Sequence, residues 1–234
     1  IPAAAESIMV QRDIALAELT GGHVHIAHLS ARESLDAVRA GKARNVRVTC
    51  EVTPHHFTLT DDLLAAPVSY DTDTKMNPPL RDAGHRDALL AGLADGSIDA
   101  IATDHAPHHY DEKQVEFDRA PFGIVGLETC VPLAFDRLVH RSVIGIRRLV
   151  ELLSTNPARI LGVPGGSLAV GAPADRTLPP PALARVAESA KLTKWTPFRL
   201  RRLPVGLVRA YRGCSVRSIG SAWVAPVVAA VGCG

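Results

Sequence analysis

The stretch Asp104-His105-Ala106-Pro107-His108 places one carboxylate and two imidazoles on a single loop. It follows the apolar run 98–103, which predicts a buried strand. In parallel α/β folds the carboxyl ends of the strands face the ligand crevice. Carboxylates and imidazoles are the groups that bind metal ions and transfer protons. The loop therefore predicts part of a catalytic site, with Asp104, His105 and His108 as its candidate residues.

His28 is a second candidate metal ligand. It ends the predicted strand 23–28 and directly precedes a predicted helix, so its ring can point into the same crevice. A lone histidine is at least as often structural, but Asp104 supplies a second hard ligand at the same end of the sheet. Together the two residues favour a metal site.

His23 and His25 form an HxH pair whose side chains share one face of the predicted strand. Both lie at the start of that strand and have the opposite parity to His28. We therefore expect them to face away from His28, toward the amino end of the sheet. A structural role is favoured over metal binding for this pair.

Two further segments carry candidate binding groups. Thr53-Pro54-His55-His56 follows the predicted strand 46–52, so at least one of His55 and His56 is expected to line the site, with a surface turn as the alternative. The prolines of Asn77-Pro78-Pro79-Leu80-Arg81 fix the backbone, while Asn77 and Arg81 offer an amide and a guanidinium. These groups suit a substrate with carboxylate and amide functions, although the loop also fits a helix lead-in.

The segment Pro121-Phe122-Gly123-Ile124-Val125-Gly126 is a third candidate for ligand contact. Glycine lets backbone N–H groups approach a bound molecule closely. A glycine turn ahead of a helix explains the same pattern almost as well.

The elements that position these residues alternate along the chain. Residues 3–19 have helical spacing and end at Gly21-Gly22, and Ser30-Ala31-Arg32-Glu33 has the pattern of a capping box that opens a helix to residue 43. Strands are predicted at 23–28, 46–52 and 98–103, and further helices at 81–94, 127–138, 146–153 and 156–161. This alternation predicts an α/β fold with a parallel sheet.

Composition indicates a globular protein. The chain has 234 residues, of which 47% are hydrophobic and 21% charged, enough for a substantial core. No apolar run reaches the roughly 18 residues of a membrane span, and residues 1–6 do not resemble a secretory signal, so we expect a cytoplasmic protein. The four cysteines lack CxxC spacing, which argues against a zinc ribbon and favours reduced thiols.

Charge divides the chain into two parts. Residues 176–234 carry ten Lys or Arg against one acid, whereas residues 1–175 carry 16 against 23. We place a domain boundary near residue 167, with residues 1–166 as the α/β part and 167–234 as a second part that ends in a basic tail. The tail has few aromatic residues and no recognisable binding fold, so a poorly ordered end is favoured over nucleic-acid binding.

Five motifs occur in a fixed order: AHLS, CEVTPHHF, KMNPPLR, IATDHAPH and PFGIVGLET. Together they resemble the bacterial type I dihydroorotases of the amidohydrolase superfamily, and the resemblance runs from residue 1 to about residue 175. It implies the later strands of a TIM-type (β/α)8 barrel, followed over residues 167–234 by the start of a small β-rich segment and a divergent basic tail. It also implies zinc-dependent, reversible cyclisation of N-carbamoyl-L-aspartate to dihydroorotate in pyrimidine biosynthesis.

The resemblance assigns roles to individual residues. His28 is similar to the metal-ligand histidine of the sixth barrel strand. Asp104 is similar to the eighth-strand aspartate that binds zinc and shuttles the proton. The residues that match positions lining the substrate pocket are Asn77, Arg81, His108, Phe122 and Gly123. One or two zinc ions and a homo-oligomer are expected.

The family's other metal ligands lie on earlier strands: an HxH on the first, a carboxylate or modified lysine on the fourth, and a histidine on the fifth. We expect most zinc ligands to lie upstream of this chain. Two alternatives stay open for that reason. One is a non-catalytic dihydroorotase-like subunit that scaffolds aspartate transcarbamoylase. The other is a cyclic amidase acting on hydantoin or allantoin, which the 77–81 loop and His108 make less favoured.

Overall fold

A computed structural model describes residues 1–65, 70–167 and 169–170, together with the backbone of three short strands near the C-terminus. The α-helices are α1 (Ala3–Thr20), α2 (Arg32–Ala43), α3 (Ala83–Asp95), α4 (Tyr110–Lys113), α5 (Leu127–Ala134), α6 (Ile146–Val150) and α7 (Asn156–Leu161). The strands are β1 (Val24–Ile26), β2 (Val48–Val52), β3 (Ala100–Ile101), β4 (Arg176–Leu178), β5 (Arg209–Arg212) and β6 (Ser215–Val216). In the described part of the chain, no helix has the length and apolarity to cross a membrane.

The first three strands form one parallel sheet in the order β1-β2-β3. Val24 pairs with Val48 at one side of β2, and Val52 pairs with Ile101 at the other. Helices α2 and α3 connect these strands, as a parallel sheet requires. The predicted α/β fold is therefore confirmed, although each strand is shorter than its apolar run.

The hydrophobic core lies between this sheet and the helices around it. Helix α1 packs on α2 through a buried face that includes Val10 and Ile14. Gly92 lets α2 and α3 approach closely, because a Cβ there would stand 2.7 Å from Leu35 Cδ2. Residues without measurable exposure in this core include Leu35, Val38, Cys50, Val52, Leu93, Ile98, Ile101, Ala134, Leu138 and Leu152.

Two of the helix starts show different capping. At α3 the Asp82 side chain accepts a hydrogen bond from the His85 N–H at 3.1 Å, as a local N-cap does. At α2 the predicted capping box is wrong, because Ala31 is the N-cap residue and no side-chain cap bond forms. Glu6 of α1 accepts from the N–H groups of Ser30 and Ala31, each at 3.0 Å, and from the Ser30 hydroxyl. A carboxylate from another helix has replaced the local cap.

Strands β4, β5 and β6 form a separate antiparallel sheet in the order β4-β5-β6. The other residues of the predicted basic tail lie outside the described residues. The division into residues 1–166 and 167–234 therefore stays a prediction.

Candidate metal and substrate site

His28 and Asp104 lie together at the carboxyl end of the parallel sheet. His28 follows β1 and Asp104 follows β3, and both have positive φ angles, 54° and 47°. Their side chains are partly buried, and His28 Nε2 lies 3.8 Å from Asp104 Oδ1. That separation is too long for a hydrogen bond, but zinc ligands at about 2.0–2.2 Å from one ion stand roughly 3–4 Å apart. The structure brings the two predicted ligands to a spacing that suits a shared ion.

Glu51 of β2 lies on the other side of the His28 ring. Its Oε1 is 2.9 Å from His28 Nδ1, and its Oε2 is 3.2 Å from His25 Nε2. The prediction that His25 faces away from His28 is therefore wrong. Strand alternation ends at Ile26, and the positive φ of His28 turns its ring toward the same carboxylate.

His23 and His25 do share one side, as their spacing predicts. His23 Nε2 lies 3.0 Å and His25 Nδ1 2.8 Å from the hydroxyl oxygen of Thr49. Thr49 and Glu51 are two residues apart on β2, so they also face one side. The result is a row of polar contacts that runs along the sheet to His28.

The Glu51 carboxylate and the His28 imidazole shift each other's pKa. Burial alone would raise the pKa of Glu51, but the contacts and charges of His25 and His28 outweigh burial and lower it to about 2. Burial alone would lower the pKa of His28, but Glu51, with help from the Asp104 charge, raises it above the ordinary value. The site thus favours a negative carboxylate beside an imidazole.

His55 and His56 are buried side by side, with ring centroids 4.4 Å apart. His56 Nε2 donates to the Pro78 carbonyl at 2.9 Å, and its Nδ1 lies 2.7 Å from the Thr53 hydroxyl oxygen. Burial lowers the pKa of His56 to about 4, and burial with the His56 and His28 charges lowers that of His55 well below its ordinary value. Both rings are therefore neutral near pH 7, and the alternative of an exposed surface turn is wrong.

His28 and Asp104 fit a zinc ion as part of its ligand set. Imidazole nitrogen and carboxylate oxygen are both common zinc ligands, and catalytic sites use three protein ligands. Among the described residues, no group of three or more His, Cys, Asp or Glu is placed to hold a metal. The described chain thus supplies two ligand candidates.

Asn77 and Arg81 line a groove of about 350 Å³ between α1 and the 77–81 loop, with His25 and Glu6 also on its wall. Asn77 is exposed. Arg81 is mostly buried and already paired, because its Nε donates to the Ser30 hydroxyl at 3.0 Å and its Nη2 lies 3.5 Å from Glu6. Sequence reasoning did not predict this engagement of the guanidinium.

His105 stands at the start of α5. Its Nδ1 accepts hydrogen bonds from the N–H groups of Gly126 at 3.0 Å and Leu127 at 3.2 Å. These contacts satisfy donors that a helix start leaves free. The structure places His105 as a helix cap.

His108, Phe122 and Gly123 contact one another in the loop that follows β3. His108 Nε2 donates to the Phe122 carbonyl at 2.8 Å, and the Gly123 N–H donates to the Lys75 carbonyl at 2.9 Å. Gly123 has a φ of 116°, and a Cβ there would stand 2.4 Å from Ala106 Cβ. The glycine serves a close approach between two loop segments, and the Phe122 ring is left about half exposed.

Two buried lysines, Lys75 and Lys113, donate hydrogen bonds to backbone carbonyls in and next to this loop. Lys113 Nζ donates to the carbonyls of Thr72 at 3.2 Å and Pro121 at 2.8 Å. Lys75 Nζ donates to the Asp118 carbonyl at 2.9 Å and lies 4.6 Å from the centroid of the Phe122 ring. The predicted substrate residues of this loop therefore have fixed backbone positions.

Glu51 is the residue that sequence reasoning missed. Its signal is an acid within the strand Val48–Val52, whose alternate residues Val48, Cys50 and Val52 are buried. A charged residue in the interior strand of a sheet needs a partner. The partners of Glu51 are His25 of β1 and His28, which follows β1.

The sequence model of the amidohydrolase family matches residues 3–194. This match extends past residue 175, where the motif resemblance ends. The dihydroorotase of Pelotomaculum thermopropionicum is 54% identical over 206 residues, covering 87% of this chain and 48% of that protein. The dihydroorotase of Desulforapulum autotrophicum is 57% identical over 178 residues, covering 76% of this chain and 41% of the relative. The chain thus spans about half the length of these relatives, and the motif-based resemblance is confirmed.

Solved structures with the same fold include hydantoinases and dihydropyrimidinases. The D-hydantoinase (dihydropyrimidinase) from Thermus sp. has a TM-score of 0.70 and 34% identity, covering 74% of this chain and 39% of that one. The dihydropyrimidinase from Brevibacillus agri has a TM-score of 0.72 and 25% identity, covering 76% and 40%. These matches confirm that the sheet and its helices belong to a TIM-type barrel architecture.

Proposed function

Because the chain belongs to the amidohydrolase family, we propose that it carries the acid–base part of a zinc-dependent dihydroorotase site. The observation that carries the proposal is the approach of His28 and Asp104 to 3.8 Å at the carboxyl end of the sheet. That end holds the active site in barrel enzymes. The identity of 54% to a dihydroorotase, against 34% to a hydantoinase, favours dihydroorotate over other cyclic amides.

His28 and Asp104 would hold zinc, together with ligands from the earlier strands of the barrel. When bound, the ion would supply a water molecule of lowered pKa and a polarised amide carbonyl. Asp104 accepts the proton from the attacking water and passes it to the leaving ring nitrogen in hydrolysis. In cyclisation to dihydroorotate the same carboxylate transfers protons in the reverse order.

The substrate-binding residues in this proposal are Asn77, Arg81, His108, Phe122 and Gly123. Asn77 offers an exposed amide at the groove, and His108 fixes the Phe122 carbonyl. Arg81 reaches a substrate carboxylate only by exchanging its contact with Glu6. The proposed cellular setting is pyrimidine biosynthesis in the cytoplasm, and the proposed assembly is a homo-oligomer.

The test is an assay of dihydroorotate hydrolysis and of zinc content, with Zn²⁺, in a protein that joins this chain to the earlier barrel strands with the remaining ligands. Asp104→Asn is expected to lower turnover at least about 100-fold, since removing an acid–base group has effects of that order. Asp87→Asn is the matched control, because Asp87 is exposed on α3. Preferential turnover of hydantoin or allantoin would reject the substrate assignment.

A second candidate is a non-catalytic subunit that scaffolds aspartate transcarbamoylase. The observation that favours it is the absence of a third metal ligand near His28 and Asp104 in the described residues. If the purified chain binds no zinc, turns over no cyclic amide and co-purifies with aspartate transcarbamoylase, this function replaces the catalytic one.

A further inference from the structure

We propose that Glu51 is a positioning residue, which holds the His28 ring with Nε2 facing Asp104 and ties His25 into the same arrangement. The proposal rests on the proposed function only in naming His28 as a metal ligand. Neither the motif resemblance nor the relatives assign a role to Glu51 or His25.

The first support is the geometry of the shared carboxylate. One oxygen of Glu51 lies 2.9 Å from His28 Nδ1, and the other lies 3.2 Å from His25 Nε2. The Glu51 side chain is only 15% exposed. A mostly buried carboxylate with an imidazole at each oxygen is held from both sides, so its own position is well defined.

The second support is the backbone on either side of the contact. His25 pairs with Thr49 in the parallel sheet, and the Leu29 N–H donates to the Glu51 carbonyl at 3.0 Å. His28 therefore lies between two backbone links to β2. The positive φ of His28, 54°, is uncommon for a residue with a side chain. Such a backbone conformation persists only where surrounding contacts hold it, and the Glu51 contact is one of them.

The third support is the chemistry of the two ring nitrogens. An ionised carboxylate can only accept hydrogen bonds, so its nearest imidazole nitrogen must carry the hydrogen. His28 Nδ1 is buried and has no aligned hydrogen bond from the described residues, which leaves the Glu51 contact at 2.9 Å as its partner. With the hydrogen on Nδ1, the Nε2 lone pair that faces Asp104 is free for a metal ion. Carboxylate partners of this kind set the ring orientation of metal-binding histidines.

The experiment measures the His28 tautomer in the metal-free protein. Long-range ¹H–¹⁵N NMR of ¹⁵N-histidine-labelled chain at alkaline pH, where imidazoles are neutral, reports which nitrogen carries the hydrogen. A His28→Asn spectrum assigns the signal. We expect the Nδ1–H tautomer in the unmodified chain and a loss of that preference in Glu51→Leu, which has no acceptor oxygen. A signal from the Nε2–H tautomer in the unmodified chain would overturn the proposal, even if Glu51→Leu failed to fold.

Zn²⁺ titration supplies the second readout. Glu51→Gln is expected to weaken Zn²⁺ binding about 10–100-fold, the usual cost of losing such a partner. Glu33→Gln is the matched control, since Glu33 Oε2 lies 3.6 Å from His85 Nδ1 away from the site. An unchanged His28 tautomer in Glu51→Leu also rejects the role of Glu51. If no Zn²⁺ binds even when this chain is joined to the earlier barrel strands, the proposed function fails, while the tautomer still decides the role of Glu51.

Discussion

The two ends of the parallel sheet carry similar residues in different states. At the amino end, Asp99 precedes β3 and accepts hydrogen bonds from Lys42 Nζ at 2.7 Å and the Cys50 N–H at 2.9 Å. Lys42 also donates to the Ser97 carbonyl at 2.8 Å, and Arg148 donates to the Ile98 carbonyl at 2.7 Å. These polar groups complete one another's hydrogen bonding within the chain.

At the carboxyl end, the polar groups are less completely paired. His55 Nε2 is buried without a hydrogen bond from the described residues, and the Glu51 carboxylate is the partner of the buried His28 Nδ1. His28 and Asp104 also have positive φ angles. Unpaired buried groups and unusual backbone cost free energy, and proteins retain them where a ligand is bound. The amino end therefore stabilises the fold, and the carboxyl end is arranged for chemistry.

The largest expected effect is acid destabilisation through the carboxyl end. The folded pKa of His56 is about 4, and that of His55 is also lowered, so the unfolded chain binds more protons as the pH falls below 6.5. The stability that the neutral His55 and His56 rings contribute is full above pH 6.5 and is lost toward pH 4, at up to roughly 1.4 kcal/mol per pH unit for each histidine. Glu51 adds a further loss of stability only below pH 4.5, the ordinary pKa of its carboxyl group. Urea unfolding across this range measures the slope.

His56→Gln is expected to reduce this acid slope, and His140→Gln, at an exposed position, to leave it unchanged. Equal slopes in the unmodified chain and His56→Gln would show that the buried histidine does not control acid stability.

The next largest effect is expected from a substitution at the amino end of the parallel sheet. Asp99→Asn is expected to lower the free energy of unfolding by about 2 kcal/mol, because hydrogen bonds to charged groups contribute about that much. Lys42 would then lack its carboxylate. Urea unfolding measures this loss of stability. An unchanged urea midpoint would mean that the hydrogen bonds of Asp99 do not stabilise the sheet.

A smaller, local effect is expected in the loop above the carboxyl end. Lys113→Met removes the donor to the Pro121 and Thr72 carbonyls. The loss of about 1.4 kcal/mol, typical of such hydrogen bonds, corresponds to about tenfold faster hydrogen exchange at the Gly123 N–H. Arg119→Met is the control, because that side chain is 76% exposed. Similar exchange in both variants would argue against a role for Lys113 in holding the loop.

The smallest effect sharpens the comparison with Asp99. Asp104→Asn is expected to change the free energy of unfolding by less than about 0.5 kcal/mol, as at sites without a structural partner. Asp104 is partly exposed, and its charge lies 3.8 Å from His28. Asparagine also tolerates a positive φ. A loss as large as that of Asp99→Asn, measured by the same urea unfolding, would contradict the division between the two ends.

The elements were predictable from local patterns. Helix α1 was expected at 3–19 and lies at Ala3–Thr20, and Gly96 ends α3 with a φ of 88°. Helical spacing and glycine stops are properties of the chain segment itself. The strands are shorter than predicted. An apolar run indicates burial, but it does not show where the hydrogen bonds to a neighbouring strand end.

The partners of the site residues were less predictable. Ser30 has the pattern of a local cap but bonds Glu6, 24 residues away. Arg81 was expected to be free for a substrate but is held by Glu6 and Ser30. These pairings depend on how α1 lies against the loops, and no local pattern encodes that.

The sequence alone determined that His28 and Asp104 would lie at one end of the sheet, because parallel strands place their carboxyl ends together. It also determined the alternation of helices and strands. The tertiary structure decided which groups share a partner, and it placed the Glu51 carboxylate between His25 and His28. Strand order, register and the turn at His28 set those distances, and they arise only when the strands pair.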